Sequence, residues 1–293
     1  MLTTIQPLYQ ALIKKLNSAT RDLKGDATSK QLASVIIASR SYLATATKEA
    51  LTSKVPGKSY FMFRASDRKK VSRPVNEALY WDDLDADTIA RILDCEVEGI
   101  TSTDITRAVY TCAMAYCCAM DLLKTSDQKT PGTFFENLIG HLVARTLNVN
   151  PERQITVPTL DVNVTLPTDF VFDLGPGKNR VHLPIKTSTR ERVVQVWAHQ
   201  RVLDGMHGVA RFKGVLVAMA ETNKQEDISV VEVCLPNQWM AYQMYIAQMF
   251  RVYYLDLPEK YLALKDRYPF IQVKPFGEFF GEVDKIERSG VDP

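Results

Sequence analysis

The spacing of apolar positions changes part-way along the chain. In the first 125 residues they recur at helical intervals: Leu12, Leu16 and Leu23, then Ile36, Ile37 and Leu43, among polar neighbours. DADTIARILDCEV predicts a further helix, and another starts at the N-capping Ser102 or Thr103 and runs to about Leu123. The polar segment KTSDQKTPG (124–132) ends in Pro-Gly and marks a boundary or a long connection. Behind it, TFFENLIGHLVARTLNV has apolar residues at 134, 135, 138, 139, 142 and 143, which predicts an amphipathic helix with Glu136 near its start.

After that helix the period shortens. ITVP, VNVTLP, DFVFDLG and RVHLPIK are short β-branched segments punctuated by Pro and Gly, and GPGKN signals a tight turn between the last two. A helix is predicted over about 190–203, followed by GVLVAMAE, a continuous apolar run typical of a strand covered on both faces. ISVVEVCLP reads as another strand, Asn237 to Tyr254 as a long helix, and the remaining tail as irregular. The order predicts an α/β or α+β core, a mixed sheet flanked by helices, over residues 126–293, behind a helical N-terminal region of residues 1–125.

Composition adds limits. With 293 residues, 46% of them hydrophobic, the chain can bury a large core without metal or disulfide staples. A net charge of +2 means that an anionic polymer would have to be met by local patches. FMFRASDRKKVSRPV is such a patch, with five basic residues and one acidic residue in 64–73. It reads either as a solvated loop or as a contact to a phosphate backbone. Of the five cysteines, three lie in the apolar run AVYTCAMAYCCAM, and no Cys-x-x-Cys pairs with histidines at zinc spacing. Reduced, buried thiols in a cytosolic protein are expected. The N-terminal stretch lacks a signal-peptide pattern, and the longest apolar run, about 13 residues, is short of the roughly 20 that span a membrane. A cytoplasmic location with no membrane partner is the expectation.

The candidate chemistry lies in the hairpin. Folding DFVFDLG against RVHLPIK around a turn near Gly177 brings Asp169 opposite residues 185–186, so Asp169 and Lys186 meet at one end of paired strands. The pair is a plain salt bridge or a reactive site at a sheet end. Asp173, four residues along the same strand face, offers a further carboxylate but lies nearer the turn. Downstream, Thr189-Arg190-Glu191-Arg192 is either a capped, solvated helix start or a set of groups for reading bases. Trp239, Tyr242, Met244, Tyr245, Met249 and Tyr253 form a stripe at helical spacing, either core or a dimer interface.

Pro167-Thr168-Asp169, sixteen residues, then Lys186, with an upstream helix carrying Glu136, resembles the PD-(D/E)xK nuclease core. KTSTRERVVQ (186–195) is similar to one segment of the type II restriction endonucleases that cut CCGG-, CCNGG- or CCWGG-type sites. There a lysine, small hydroxyl residues and a basic–acidic–Arg triplet lead into a helix that enters the major groove. The chemistry suits the triplet, since arginine pairs in bidentate fashion with guanine O6 and N7 while a carboxylate accepts from cytosine N4. The resemblance implies a Mg²⁺-dependent, sequence-specific nuclease acting on double-stranded DNA at a G·C-rich palindrome. It further implies a homodimer, with a cognate DNA methyltransferase, in the cytoplasm of a bacterium or archaeon. Asp169, Glu136 and the Ile185 carbonyl would hold metal; Asp169, Lys186, Glu136 and Gln200 would serve catalysis; Arg190, Glu191 and Arg192 would read bases. Lys178, Arg180 and His182, with Lys69 and Lys70 of the basic loop, would grip the DNA backbone. The N-terminal region would dimerise or clasp DNA. The chain departs from the pattern at Pro184, where an acid is usual, and at His199 and Gln200, where that acid is sometimes relocated. Gln200 would orient a metal-bound water; His199 is a ligand, a proton shuttle, or a surface or packing residue. Two other readings stay open: a structure-specific or repair nuclease of the same fold, and a non-catalytic DNA-binding protein on a nuclease scaffold.

Overall fold

The computed structural model describes residues 2–288 except 67–69, 125, 126, 128, 159, 160, 191, 192, 210 and 227. It divides into two compact units, and the chain passes between them three times. The first comprises residues 1–145 and 222–233, the second 146–221 and 234–293.

The first unit contains helices α1 (Leu2–Leu16), α2 (Asp26–Leu43), α3 (Ala86–Leu93), α4 (Ser102–Leu123) and α5 (Lys129–Thr146). Side-chain caps set two of the starts: Asp85 accepts from the Thr88 amide at 2.6 Å and Thr101 from the Asp104 amide at 3.1 Å. α4 is apolar on nearly every side and buried, carrying Cys112, Cys117 and Cys118 at its centre. Burial pushes the Cys112 thiol up to about 12 and Cys117 up to about 11, and none of the five cysteines is in a disulfide.

The unit is not wholly helical, which corrects the expectation for residues 1–125. Strands β1 (Thr47–Ser53), β2 (Tyr60–Arg64) and β3 (Val75–Asn76) precede α3, and β9 (Thr222–Lys224) and β10 (Ser229–Glu232) return from later in the chain. The sheet order is β3-β2-β1-β10-β9, with β10 parallel to β1 and the other pairs antiparallel. Lys-Glu-Ala-Leu in β1 favours a helix by itself. The pairing of Ala50 with Phe61 and Leu51 with Tyr60 overrides that preference by burying Leu51, Val55, Tyr60, Met62 and Val230 together. The Pro-Gly pair expected to mark a boundary lies inside α5. Pro131 occupies the first turn, where its missing N–H is no loss, and Asp127 accepts from the Thr130 amide at 3.0 Å. The unit boundary falls instead beyond Arg145.

The second unit is built on β4 (Glu152–Pro158), β5 (Asn163–Asp173), β6 (Arg180–Leu183), β7 (Ile185–Lys186), β8 (Phe212–Ala218), β11 (Arg251–Tyr254) and β12 (Val273–Pro275). Its sheet runs β12-β11-β8-β6-β5-β4, with β7 continuing along β8 beyond β6. β4, β5 and β6 pair antiparallel, while β6, β7 and β11 run parallel to β8 and β12 runs parallel to β11, so the sheet is mixed. VNVTLP and DFVFD form one strand despite Pro167, which lies opposite Gln154 beside a bulge between Glu152 and Gln154, where a missing donor is tolerated.

Helix α6 (Val193–His207) lies between β7 and β8 in sequence, and because those strands pair in parallel it makes the crossover connection that such a pair needs. Val193, Val196 and Trp197 of α6 pack with Leu216 and Ala218 of β8, Trp239 of α7 (Pro236–Tyr245), and Val252 and Tyr254 of β11. α8 (Glu259–Leu262) supplies Tyr261 to this core, and α9 (Leu264–Arg267) follows it. A 3₁₀ turn (Phe276–Gly281) and α10 (Val283–Glu287) end the described chain. As far as Arg288 the tail predicted to be irregular therefore carries secondary structure, and its last five residues lie outside the described residues.

Two further expectations are corrected here. ISVVEV pairs in the first unit's sheet, since its partner is β1, far back in sequence. The long helix expected from Asn237 to Tyr254 stops at Tyr245. There the Gln243 side chain binds the Met249 backbone through both ends, Nε2 to the carbonyl at 2.9 Å and Oε1 from the amide at 3.0 Å. This turns the chain into β11, whose four residues are all buried. Trp239, Met249 and Tyr253 of the aromatic stripe are core, whereas Met244 and Tyr245 are exposed. Among the described residues no helix is long and apolar enough to cross a membrane.

Candidate active site

Gly175 and Gly177, with φ of 95° and 78°, take the left-handed backbone that the β5–β6 turn requires. They set the register Asp173↔Arg180 through Phe170↔Leu183. One step beyond, Asp169 comes level with Pro184, a residue short of the 185–186 that the sequence predicts. The Pro184 carbonyl accepts from the Val217 amide of β8 at 3.0 Å, so this residue presents its backbone to β8 and the next presents its own to the other edge. The Ile185 amide, left without a backbone partner on β5, donates to Asp169 Oδ2 at 2.7 Å. Lys186 Nζ donates to the same oxygen at 2.8 Å. The two side chains are 31% and 21% exposed, so the pair is reachable from solvent. The Lys186 carbonyl is tied to β8 through the Met219 amide at 3.0 Å. Since the N–H and C=O of one strand residue leave by the same edge, the Ile185 carbonyl faces the Asp169 side.

Behind this pair lies a buried polar cluster. His182 Nδ1 donates to Gln200 Oε1 at 3.1 Å, and Gln200 Nε2 donates to Asp204 at 3.0 Å and to the Phe212 carbonyl at 2.8 Å. Gln200 is therefore buried with both ends of its amide engaged. It differs from the expected water-orienting residue: its role is to join α6 to the sheet. Gly214 of β8 makes room for it, since a Cβ there would stand 2.6 Å from Gln200 Oε1. His182 is likewise in the core rather than on a DNA-facing surface. The ring of His199 stands 6.4 Å from that of His182. Its pKa is lowered first by burial and then by the Lys186 ammonium, with the Asp169 carboxylate opposing.

Burial lowers His182 to about 4, with the Gln200 bond opposing and the His199 charge adding to the fall. The unfolded chain takes up this proton near pH 6.5 and the folded chain only near 4. Stability should therefore fall as pH drops through that window, by roughly 2–3 kcal/mol from this group alone. Urea unfolding at pH 7 and at pH 4.5 should show the loss, and His182→Asn should flatten it. An unchanged slope in the variant would assign the pH dependence elsewhere.

The other predicted residues are scattered. Arg190 is half-buried, with its Nε 2.9 Å and its amide 3.3 Å from Ser188 Oγ. Thr189 is buried, and its amide and hydroxyl both donate to Glu221 Oε1, at 2.8 and 2.6 Å. The described part of α6 runs from Val193, and the Thr189 hydroxyl gives its proton to Glu221. Glu191, Arg192 and Lys69 lie outside the described residues. Lys70 donates to the Leu123 carbonyl at 3.2 Å. Lys178 pairs with Glu287 at 2.6 Å and Arg180 with Asp173 at 2.7 Å. Both are exposed pairs of the kind that contribute about 0–1 kcal/mol. Glu136 lies on α5 in the first unit, where its charge adds to burial and Asp127 in raising the Tyr9 hydroxyl to about 12.

Sequence reasoning missed Glu221. It stands three residues past β8, while Lys186 is the last residue of β7; both are charged residues closing an apolar run, so the signal that singled out the lysine was present for the glutamate as well.

No family model matches the sequence, and no curated protein does. Among solved structures, the crystal structure of the type IIP restriction endonuclease Kpn2I is similar at a TM-score of 0.78, with 24% identity over 96% of each chain. The fold is that of a restriction endonuclease. The restriction endonuclease PspGI in complex with substrate DNA is also similar, at a TM-score of 0.44 and 14% identity over 68% of this chain and 87% of that one.

Within the restriction-endonuclease fold, the donor set at the strand edge suits a hard divalent cation. Asp169 Oδ1, which neither of the bonds above uses, and the Ile185 carbonyl are both oxygen donors. Mg²⁺ is commonly held by one or two carboxylates, keeping waters and substrate phosphate for its other positions. Among the described residues no group of three or more His, Cys, Asp or Glu side chains gathers to form a full protein cage.

Proposed function

We propose that the chain is a Mg²⁺-dependent type II restriction endonuclease that hydrolyses double-stranded DNA at a G·C-rich palindromic site as a homodimer, in a system with a cognate methyltransferase. The observation that carries this reading is the convergence of Asp169, the Ile185 backbone and Lys186 where β7 ends. In open sheets containing parallel strands, ligands bind outside the carboxyl ends of those strands. Kpn2I, whose fold this chain shares, is a restriction endonuclease.

Asp169 and the Ile185 carbonyl would hold the cation. Bound there, Mg²⁺ supplies Lewis-acid polarisation of the scissile phosphate and a more acidic water. Lys186, fixed at its backbone by Met219 and at its tip by Asp169, presents an ammonium to the charge that develops on the phosphate. Arg190, Glu191 and Arg192 read guanine and cytosine edges, and Arg180 and Lys178 exchange their carboxylate partners for the backbone.

Incubating plasmid DNA with purified protein should give discrete fragments with Mg²⁺ and none with EDTA. Cutting confined to branched or nicked DNA would instead support the repair-nuclease reading. Pro184, standing where an acid is usual, favours one competitor, a non-catalytic DNA-binding protein. Specific duplex binding with no cleavage in Mg²⁺ or Mn²⁺ would decide for it.

A further inference from the structure

Glu221 is 1% exposed, yet no cation pairs with it among the described residues. Burial raises its carboxyl pKa, against the hydrogen bonds that favour the charged form. A buried carboxylate is costly unless hydrogen bonds satisfy it. Four donors do so here. Oε1 accepts from the Thr189 amide at 2.8 Å, the Thr189 hydroxyl at 2.6 Å and the Tyr254 hydroxyl at 2.7 Å. Oε2 accepts from Ser188 Oγ at 3.0 Å.

The last of these bonds has a direction. A serine hydroxyl has one proton and two lone pairs. With its proton committed to Glu221, Ser188 Oγ is left as an acceptor facing Arg190. Arginine has only donors, and its Nε sits 2.9 Å away. The chain of bonds therefore runs guanidinium to hydroxyl to buried carboxylate, each donor matched to an acceptor. Anchoring Nε leaves the two terminal nitrogens as a forward fork, the pair that makes an end-on bidentate contact. The backbone is held alongside, since the amides of Met219 and Ala220 donate to the carbonyls of Lys186 and Thr187 at 3.0 and 3.3 Å.

We infer that Glu221 is a positioning residue that, through Ser188, sets the guanidinium of Arg190 for base contact. This rests on the proposed reading of the chain as a site-specific nuclease. Lys186 is held separately, by the β8 backbone and by Asp169, so loss of the carboxylate should act on recognition more than on the chemical step.

Glu221→Gln keeps the volume and the acceptor oxygen, but its amide nitrogen donates to Ser188 and reverses the polarity that Arg190 needs. Ser188→Ala removes the link alone and leaves Thr189 and Tyr254 on the carboxylate, which covers the case in which the Glu221 variant fails to fold. The probe is a duplex containing a site that wild-type protein cuts, located by sequencing the ends of plasmid fragments, against an equal-length duplex without it. Each variant should bind the cut-site duplex at least about tenfold more weakly and the control duplex as wild type does, with KM raised and kcat at saturating DNA changed far less. The double variant should lose no more than either single one, as for residues acting in one chain. Wild-type affinity in both single variants would overturn the inference, as would equal losses on both duplexes or a fall in kcat alone. Wild-type protein that cuts no DNA would overturn the nuclease reading itself, and the inference with it.

Discussion

Lys186→Ala should leave a folded protein that still binds duplex DNA but cleaves it about 10²–10³-fold more slowly, the scale on which one preorganised charge-stabilising group counts in a transition state. Folding should survive because the lysine is 31% exposed and its bond to Asp169 is a single ion pair. Asp169 Oδ2 would keep the Ile185 amide as a donor, so no buried acceptor is orphaned. Single-turnover cleavage beside a filter-binding isotherm separates the two effects. Wild-type cutting by the variant would place the active site elsewhere.

The largest expected loss of stability is at Trp239. The ring is 1% exposed, stacked on Tyr261 at 4.1 Å and edge-on to Trp197 at 5.3 Å. Trp239→Ala should cost about 3–5 kcal/mol, a large share of the roughly 5–15 kcal/mol that holds an ordinary protein folded. Trp239 Nε1 has no hydrogen-bond partner among the described residues. Trp239→Phe should cost clearly less, since it retains an aromatic ring and removes a buried, unsatisfied donor. Urea denaturation of the two variants tests the order. An unchanged midpoint with an altered molecular mass would return the aromatic stripe to the role of a subunit interface.

What could be read beforehand follows a physical division. The turn at Gly175 to Gly177 and the alternation beside it are local signals, so the hairpin and the meeting of Asp169 with Lys186 were legible, with the register off by one residue. Strand β1 was not legible, because its residues prefer a helix until Phe61 and Tyr60 are beside them. Neither was β11: Met249 to Leu255 is apolar at helical and strand spacing alike, and only Gln243 closing on Met249 ends the helix. At the candidate site, Lys186 stood out by its charge after an apolar strand. Gln200 and His182 looked equally exposed in the sequence, and their burial depends on α6 docking over Gly214.

The return of β9 and β10 to the first unit bears on how the chain is made. Strand β1 gains its parallel neighbour only from Ser229 and Val230, more than 170 residues after it in sequence. A ribosome building from the N-terminus cannot complete the first unit's five-stranded sheet until all of the second unit's β4–β8 segment has been made. Until then the edge of β1 presents unpaired backbone groups to other chains. A fragment ending at Arg145 should carry that edge permanently and aggregate, so the N-terminal half is a poor choice for expression by itself.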